Sequence, residues 1–492
     1  MDATDPIVST TGGDVRGLWR GGSAAFYGIG YAEPPVGALR FAAPVRRGAW
    51  EGTRDATHPG PTPQRRPFGE VTAIPEPSYP GDDILNLNVF TPAPGDPDAA
   101  LPVLVWIHGG GFKAGSPSSP WYDGAAFNRD GVVTVSISYR LGFDGFGWIP
   151  DAPHNRGLRD QIAALTWVRE NIAAFGGDPR RVTIAGQSAG GGAVWALLAS
   201  PLAGGLFSAA IVQSGGLDVA PRATAEAASR ALADRLGVPW TRDALAAVDE
   251  DAVLDATDAL TTPPPTDSLD AALAGLLGDG LRGGLAFRPA IDGEVLTTSI
   301  PDALAAGVGA DLPLLMGATA HEFTGMGALF APLVADGSLA EALARTPLAP
   351  VAADYLATYG ALPGGAASVM GQLVTDLTFR TDMVQWADLR GSGPTWLYDF
   401  RLVHPGTGLA SHCAELPFVF DCLGADRVTS SSHPEPPQAL ADAMHGAWVQ
   451  FVTEHRVDWP TWHPDRTAMV FDTISHAEPD PYALERRVAA SV

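Results

Sequence analysis

The sequence predicts an α/β protein built on a mixed, mostly parallel central sheet, with helices on both faces and helical insertions over the strand ends. Three observations carry this. Short apolar runs of strand length alternate with helical stretches of about 10 to 15 residues, the pattern of parallel strands joined by crossover helices. A glycine-flanked serine, Gly186-Gln187-Ser188-Ala189-Gly190, stands between one such strand and an apolar helix. The 492 residues are 46% hydrophobic and 17% charged, material for a large core and the reverse of a disordered balance.

Taken in order, residues 5–45 read as short strands punctuated by Gly12-Gly13, Gly21-Gly22 and Pro34-Pro35, and residues 58–83, rich in Pro and Gly, as a long loop. Leu101–Ile107 is an apolar strand, and residues 131–138 form a second one rich in β-branched residues. A helix over about 158–174 leads into a strand at 181–185, and 208–213 and 312–316 continue the sheet. Between about 222 and 285 the chain is Ala-rich and helical, with breaks at Gly237-Val-Pro and Pro263-Pro-Pro265. Strand patterns resume after it, so it reads as an insertion within one domain spanning 1–492. Helices return at about 338–345 and 438–454, and residues 459–472 close the chain as a turn and short strand.

Lys plus Arg is 31 and Asp plus Glu is 55, a formal net charge of −24. An acidic chain lacks the basic face that nucleic acid or an anionic membrane requires. Lys113 is the single lysine, a compositional bias without functional content. Two cysteines, Cys413 and Cys422, make no disulfide framework, and free thiols in a reducing compartment are expected. The first residues show no signal-peptide pattern, and no apolar run reaches the about 18 residues of a spanning helix. The expectation is a cytoplasmic protein.

The serine segment matches a nucleophile elbow, Gly-x-Ser-x-Gly between strand and helix. Small neighbours allow a tight turn that lifts the hydroxyl above the strand ends. The helix N-terminus behind it offers free N–H groups to a developing oxyanion. Directly after the strand 101–107 comes His108-Gly109-Gly110-Gly111-Phe112. Three glycines leave backbone N–H groups uncovered, and no Lys-Ser/Thr follows to make it a phosphate cradle. The N–H groups of Gly110, Gly111 and Ala189 are the candidate oxyanion hole. A serine hydroxyl needs a base and the base an orienter, in the chain order serine, acid, histidine on a hydrolase sheet of this kind. Residue types alone do not choose among the 11 histidines.

A resemblance supplies the choice. Phe26 to Phe41 (FYGIGYAEPPVGALRF), Asp82 to Val89 (DDILNLNV), Tyr139-Arg-Leu-Gly142, Gly157-Leu-Arg-Asp-Gln161 and Phe175-Gly-Gly-Asp-Pro179 are together similar to the type-B carboxylesterase family, which includes bacterial para-nitrobenzyl esterases and the cholinesterases. The resemblance implies the α/β-hydrolase fold and serine carboxylesterase activity through an acyl-enzyme. It implies the acid at Glu322, five residues after Gly317 of Leu314-Leu-Met-Gly317. It implies the histidine at His412, upstream of Phe418-Val-Phe420, so the triad is Ser188, Glu322 and His412. It also implies that Ser214 supports the triad by hydrogen bonding, and that Arg40 with Asp82 and Arg140 with Asp160 form buried ion pairs. Where secreted members carry an N-terminal disulfide, this chain has Ile84 and Thr62 or Pro63, which fits the cytoplasm. The loop 62–83 has no tryptophan to hold a quaternary ammonium, and Gln187 stands where many relatives carry glutamate, so choline esters are not expected substrates. Phe323 follows the acid where relatives often have glycine.

No cofactor and no metal is called for, and the expected partner is a small-molecule ester, with the chain a monomer or weak oligomer. Gly278-Asp-Gly-Leu-Arg-Gly283 fits a dinucleotide fingerprint but follows a helix, and His321-Glu322 lacks the second histidine of a zinc site. Trp106, Trp121, Tyr122 and Trp148 read as core, with a substrate gorge as their other use. The gorge is expected to draw on 112–122, 222–285 and 323–333. Two alternatives stay open: an amidase, carbamate hydrolase or transesterase using the same site, and a non-catalytic adhesion or scaffold protein, since fold does not fix function.

Overall fold

A computed structural model describes residues 5–67, 69, 72–262, 266–278, 285–334 and 337–492. Its strands are β1 (Ile7–Ser9), β2 (Asp14–Arg16), β3 (Leu18–Arg20), β4 (Ser23–Gly30), β5 (Thr53–Asp55), β6 (Asn86–Thr91), β7 (Leu101–Ile107), β8 (Val133–Ile137), β9 (Gly177–Gln187), β10 (Ala209–Gln213), β11 (Leu314–Thr319), β12 (Thr395–Phe400), β13 (Thr467–Phe471) and β14 (His476–Pro479). Eleven form one sheet, in the order β14-β13-β12-β11-β10-β9-β7-β8-β6-β4-β3, and β1, β2 and β5 form a second, small one. From β8 through β13 every neighbouring pair is parallel, while β3, β4, β6 and β14 join antiparallel at the edges.

The side-chain period of two divides the core between the sheet's faces. Val103, Val105 and Ile107 of β7, Val182 and Ile184 of β9, and Leu314 and Met316 of β11 belong to one hydrophobic cluster. Leu104, Trp106, Ala185 and Leu315 belong to another. The first cluster takes in Val194, Trp195 and Leu197 of the helix Ala189–Ala199 and Leu158, Leu165 and Val168 of Arg156–Asn171. The second takes in Leu440, Met444, Trp448 and Phe451 of Gln438–Glu454. With both faces covered, the parallel strands are apolar throughout, which is why they read as continuous runs.

The Ala-rich stretch forms the helices Arg222–Leu236, Arg242–Ala246, Glu250–Thr261 and Leu269–Leu277. Leu232, Leu245 and Val253 join the main cluster, whereas Leu269 and Leu273 join a third with Leu339, Tyr355 and Leu373. The dinucleotide-like segment falls, from residue 279, outside the described residues, as do Pro263–Pro265. Among the described residues no helix is long and apolar enough to cross a membrane.

Three expectations need correction or completion. β12 went unread because Asp399 interrupts Thr395-Trp-Leu-Tyr-Asp-Phe; this buried carboxylate takes Arg380 Nη1 at 2.8 Å and Arg401 Nε at 2.7 Å. The helices Ala352–Tyr359, Ala366–Thr375 and Thr381–Leu389 were also unread. The Arg40–Asp82 pair does not form: Asp82 is exposed, while Arg40 Nη1 donates to the carbonyls of Ala246 and Val248, at 3.2 and 2.7 Å. The neighbouring acid, Asp83, pairs instead with Arg47. Arg140 and Asp160 do pair, at 2.6 Å and almost fully buried.

Candidate active site

The parallel register brings the carboxyl ends of five strands to one level. Ile107 lies beside Gly186, Gln213 beside both Gln187 and Gly317, and Thr319 beside Phe400. β7 connects onward to β8 on one side, while β9 connects to β10 on the other. The loops after β7 and β9 therefore diverge from a topological switch point, where open parallel sheets bind ligands.

Ser188 occupies the turn between β9 and the helix Ala189–Ala199 at φ 58°, ψ −127°. Such strain in a non-glycine residue persists only where the surroundings hold it. Ser188 N–H donates to Gln213 O at 2.9 Å and Gly192 N–H returns to Ser188 O at 2.9 Å. The flanking glycines make the approach possible. A Cβ on Gly190 would lie 2.1 Å from Ile107 O, and one on Gly186 would lie 2.4 Å from Gly190 O.

Glu322, fully buried in its side chain, sits three residues past β11. Its Oε1 accepts Thr319 N–H at 2.8 Å and its Oε2 pairs with Nδ1 of His412. The two loops are stitched together: His412 N–H donates to Glu322 O at 2.9 Å, His321 N–H to Ala410 O at 3.0 Å, and Ala410 N–H to His321 Nδ1 at 3.0 Å. That last bond explains His321, whose burial lowers its pKa to about 4. Phe323 and Phe379 pack on the His412 ring, with centroids 4.7 and 5.0 Å away.

Burial pulls the His412 pKa down. A Cys413 thiolate would raise it, but burial holds that thiol protonated at neutral pH, so Glu322 supplies the upward pull. With that anionic partner the imidazole is raised above the ordinary histidine value. The imidazole keeps 14% of its side chain exposed and reaches the same pocket as Ser188. Its Nε2 is met at 3.2 Å by the side-chain amide of Gln187, and no hydrogen bond joins it to Ser188 Oγ among the described residues. With Nδ1–H directed to Glu322, Nε2 accepts from the Gln187 amide, so that amide holds the lone pair a serine proton would use.

The pocket, of about 220 Å³, is walled by Gly110, Gly111, Gln187, Ser188, Phe323 and His412, and by Thr72, Ala73, Ile74, Glu76 and Cys413. Gly110 and Gly111 have φ 102° and 60°, and a Cβ on Gly110 would meet Ala114 O at 2.2 Å. The N–H groups of Gly110, Gly111 and Ala189 donate to no backbone acceptor among the described residues, leaving three donors near the serine. Ala189 itself is fully buried at the helix start.

Other expectations meet a different outcome. Ser214 makes no hydrogen bond to the triad: its Oγ is buried without a partner, its N–H goes to Gly317 O at 2.8 Å, and both Glu322 oxygens are already engaged. Of the three stretches expected to line the gorge, only 323–333 contributes to this pocket among the described residues, through Phe323. Trp106, Trp121, Tyr122 and Trp148 are buried in hydrophobic clusters and do not line it. Cys413 and Cys422 are free thiols. Residues 72–76 were missed because a Pro-rich loop has no periodicity from which its inward residues follow.

Comparison with known proteins adds the following. A family model described as the carboxylesterase family matches residues 4–468. A para-nitrobenzyl esterase of Bacillus subtilis is 36% identical over 98% of each chain. A phenmedipham hydrolase of Pseudarthrobacter oxydans is 35% identical over 95% of each. The solved structure of a PNB esterase superposes with a TM-score of 0.78 at 34% identity, covering 99% of this chain and 100% of that one.

Proposed function

The chain belongs to the carboxylesterase family, on the α/β-hydrolase fold, and is a carboxylic ester hydrolase; from that premise we propose that it works through Ser188, His412 and Glu322 by way of an acyl-enzyme. The observation that carries the assignment is the buried Glu322–His412 pair opening onto the pocket where Ser188 stands beside uncommitted N–H groups.

Glu322 fixes the tautomer with Nδ1–H and leaves Nε2 as the base. A substrate entering the pocket displaces the Gln187 amide. His412 Nε2 then takes the Ser188 proton as Oγ attacks the ester carbonyl, and Gly110, Gly111 and Ala189 donate to the oxyanion. The imidazolium protonates the departing alcohol. Water, deprotonated by the same nitrogen, attacks the acyl-enzyme and releases the acid. The amide-cleaving alternative is not favoured, since the relatives matched along the chain include a named esterase.

The reading extends to context. The partner is a small-molecule ester, and the chain acts as one domain over 1–492, with 222–285 an insertion, as a monomer or weak oligomer. Support for one domain comes from the main hydrophobic cluster, which joins β7, β9 and β11 with residues of the insertion. The cytoplasm is its compartment, in keeping with two free thiols and no cysteine at 62, 63 or 84.

Ser188→Ala is expected to abolish para-nitrophenyl ester turnover, by a factor of about 10⁴ or more, while the circular dichroism spectrum and melting point are kept. Turnover retained by the folded variant defeats the assignment.

A further inference from the structure

The pocket that holds Ser188 is also lined by a carboxyl group the mechanism does not use. Glu76, on the loop between β5 and β6, lines this largely apolar pocket together with Ile74 and Phe323. Its Oε2 is buried and has no hydrogen-bond partner among the described residues. The cation that influences it most, Arg427, is committed elsewhere: its Nη1 donates to Thr72 O at 3.1 Å and Thr72 Oγ1 at 3.2 Å.

A buried acceptor left without a donor is costly, and a ligand that brings the donor recovers that cost on binding. The donor must be small enough for the pocket and attached to an otherwise apolar body. The chain's net charge of −24 draws cations towards its surface and repels anions. The geometry points to Glu76 as a specificity-determining residue that accepts hydrogen bonds from a protonated amine on the ester substrate, making primary ammonium esters a preferred class. This rests on the Ser188 assignment above, since the pocket is the substrate's only if the nucleophile is there.

The carboxyl is itself pushed up to about 7 by burial, against the pull of Arg427. An ammonium group beside it draws the proton off and converts it to the accepting form. A quaternary ammonium carries the charge without the N–H and does not satisfy Oε2.

The test compares kcat/KM at pH 8 for two ester series, one with the amine in the acyl chain and one with it in the alcohol. Each contains a primary ammonium, a trimethylammonium and a neutral isostere. The ratio of primary ammonium to neutral ester is expected to fall about tenfold in Glu76→Gln in one series, and to be largely kept in Glu76→Asp. An unchanged ratio in both series overturns the proposal. An equal fall for the trimethylammonium ester overturns the hydrogen-bonded form of it. Should Glu76→Gln fail to fold, the unaltered enzyme decides: n-hexylammonium must compete with a neutral ester about tenfold more strongly than 1-hexanol, and equal inhibition overturns the assignment. Neutral-ester turnover surviving in Ser188→Ala is a separate outcome: it strikes the nucleophile, and with it the premise that this pocket is the substrate's, whatever the Glu76 comparison reads.

Discussion

At the scale of single residues, the site's resting state is set by Gln187. Its amide, 3.2 Å from His412 Nε2, donates to the nitrogen that must receive the serine proton, and an amide adds no charge there. The consequence is testable through pH. Activity requires neutral His412, so kcat/KM rises as pH passes the histidine's pKa, already held above its ordinary value with Glu322 as its anionic partner. Gln187→Glu places a carboxylate against Nε2 and favours the imidazolium. The acidic limb of the profile is therefore expected to move to higher pH by about one unit. A pH–rate profile of a neutral ester checks this, and an unmoved limb means that residue 187 does not face the base during catalysis. Of these residues, Ser188 was legible from its pentapeptide, and Glu322 and His412 from a resemblance alone. Gln187 was noted only as a missing charge, because a side-chain contact over 225 positions leaves no local mark in a sequence.

At the scale of elements, buried arginines hold segments to one another. Arg140, just after β8, donates through Nε and Nη2 to Asp160 of the helix Arg156–Asn171, at 2.8 and 2.6 Å, and through Nη1 to Ala42 O at 2.7 Å. Both side chains are almost wholly excluded from water. Arg140→Met leaves Asp160 as an uncompensated buried charge and is expected to cost about 3–5 kcal/mol, read from the denaturant midpoint. Arg140→Met with Asp160→Leu recovers most of that loss if the unpaired charge is its cause. This pair was expected from the family resemblance, and it forms. No such expectation reached Arg380. It joins Asp399 of β12 at 2.8 Å and Glu485 of the helix Ala483–Ala489 at 2.6 Å, in segments whose pairing no local pattern announces.

At the scale of the whole molecule, the charge balance of 31 basic to 55 acidic residues gives a negative field that any charged substrate meets before the pocket. Esters bearing a carboxylate are expected to gain several-fold in kcat/KM as salt rises from about 0.02 to 0.5 M, because screening shortens the reach of the repulsion. Neutral esters are expected to vary by less than about twofold over the same range. Stopped-flow or initial-rate series at fixed pH make the comparison. A flat response for the anionic ester means that the field near the pocket mouth is locally neutral despite the overall charge.

The sequence by itself determined the parallel sheet, because strands buried on both faces must be apolar without interruption, as Leu101–Ile107 is. It determined the elbow and the glycine loop, because close backbone approach at Gly186, Gly190 and Gly110 admits no side chain. Only the tertiary structure decided what faces the serine. Residues 72–76, Phe323 and Cys413 come from three segments whose side chains point inward for reasons of chain path and not of local pattern. It also decided that Ser214 stands apart from the triad: its Oγ is buried without a partner, while Thr319 N–H and His412 Nδ1 meet the two oxygens of Glu322. Which donor reaches a carboxylate is settled by position in space, which no single stretch of sequence encodes.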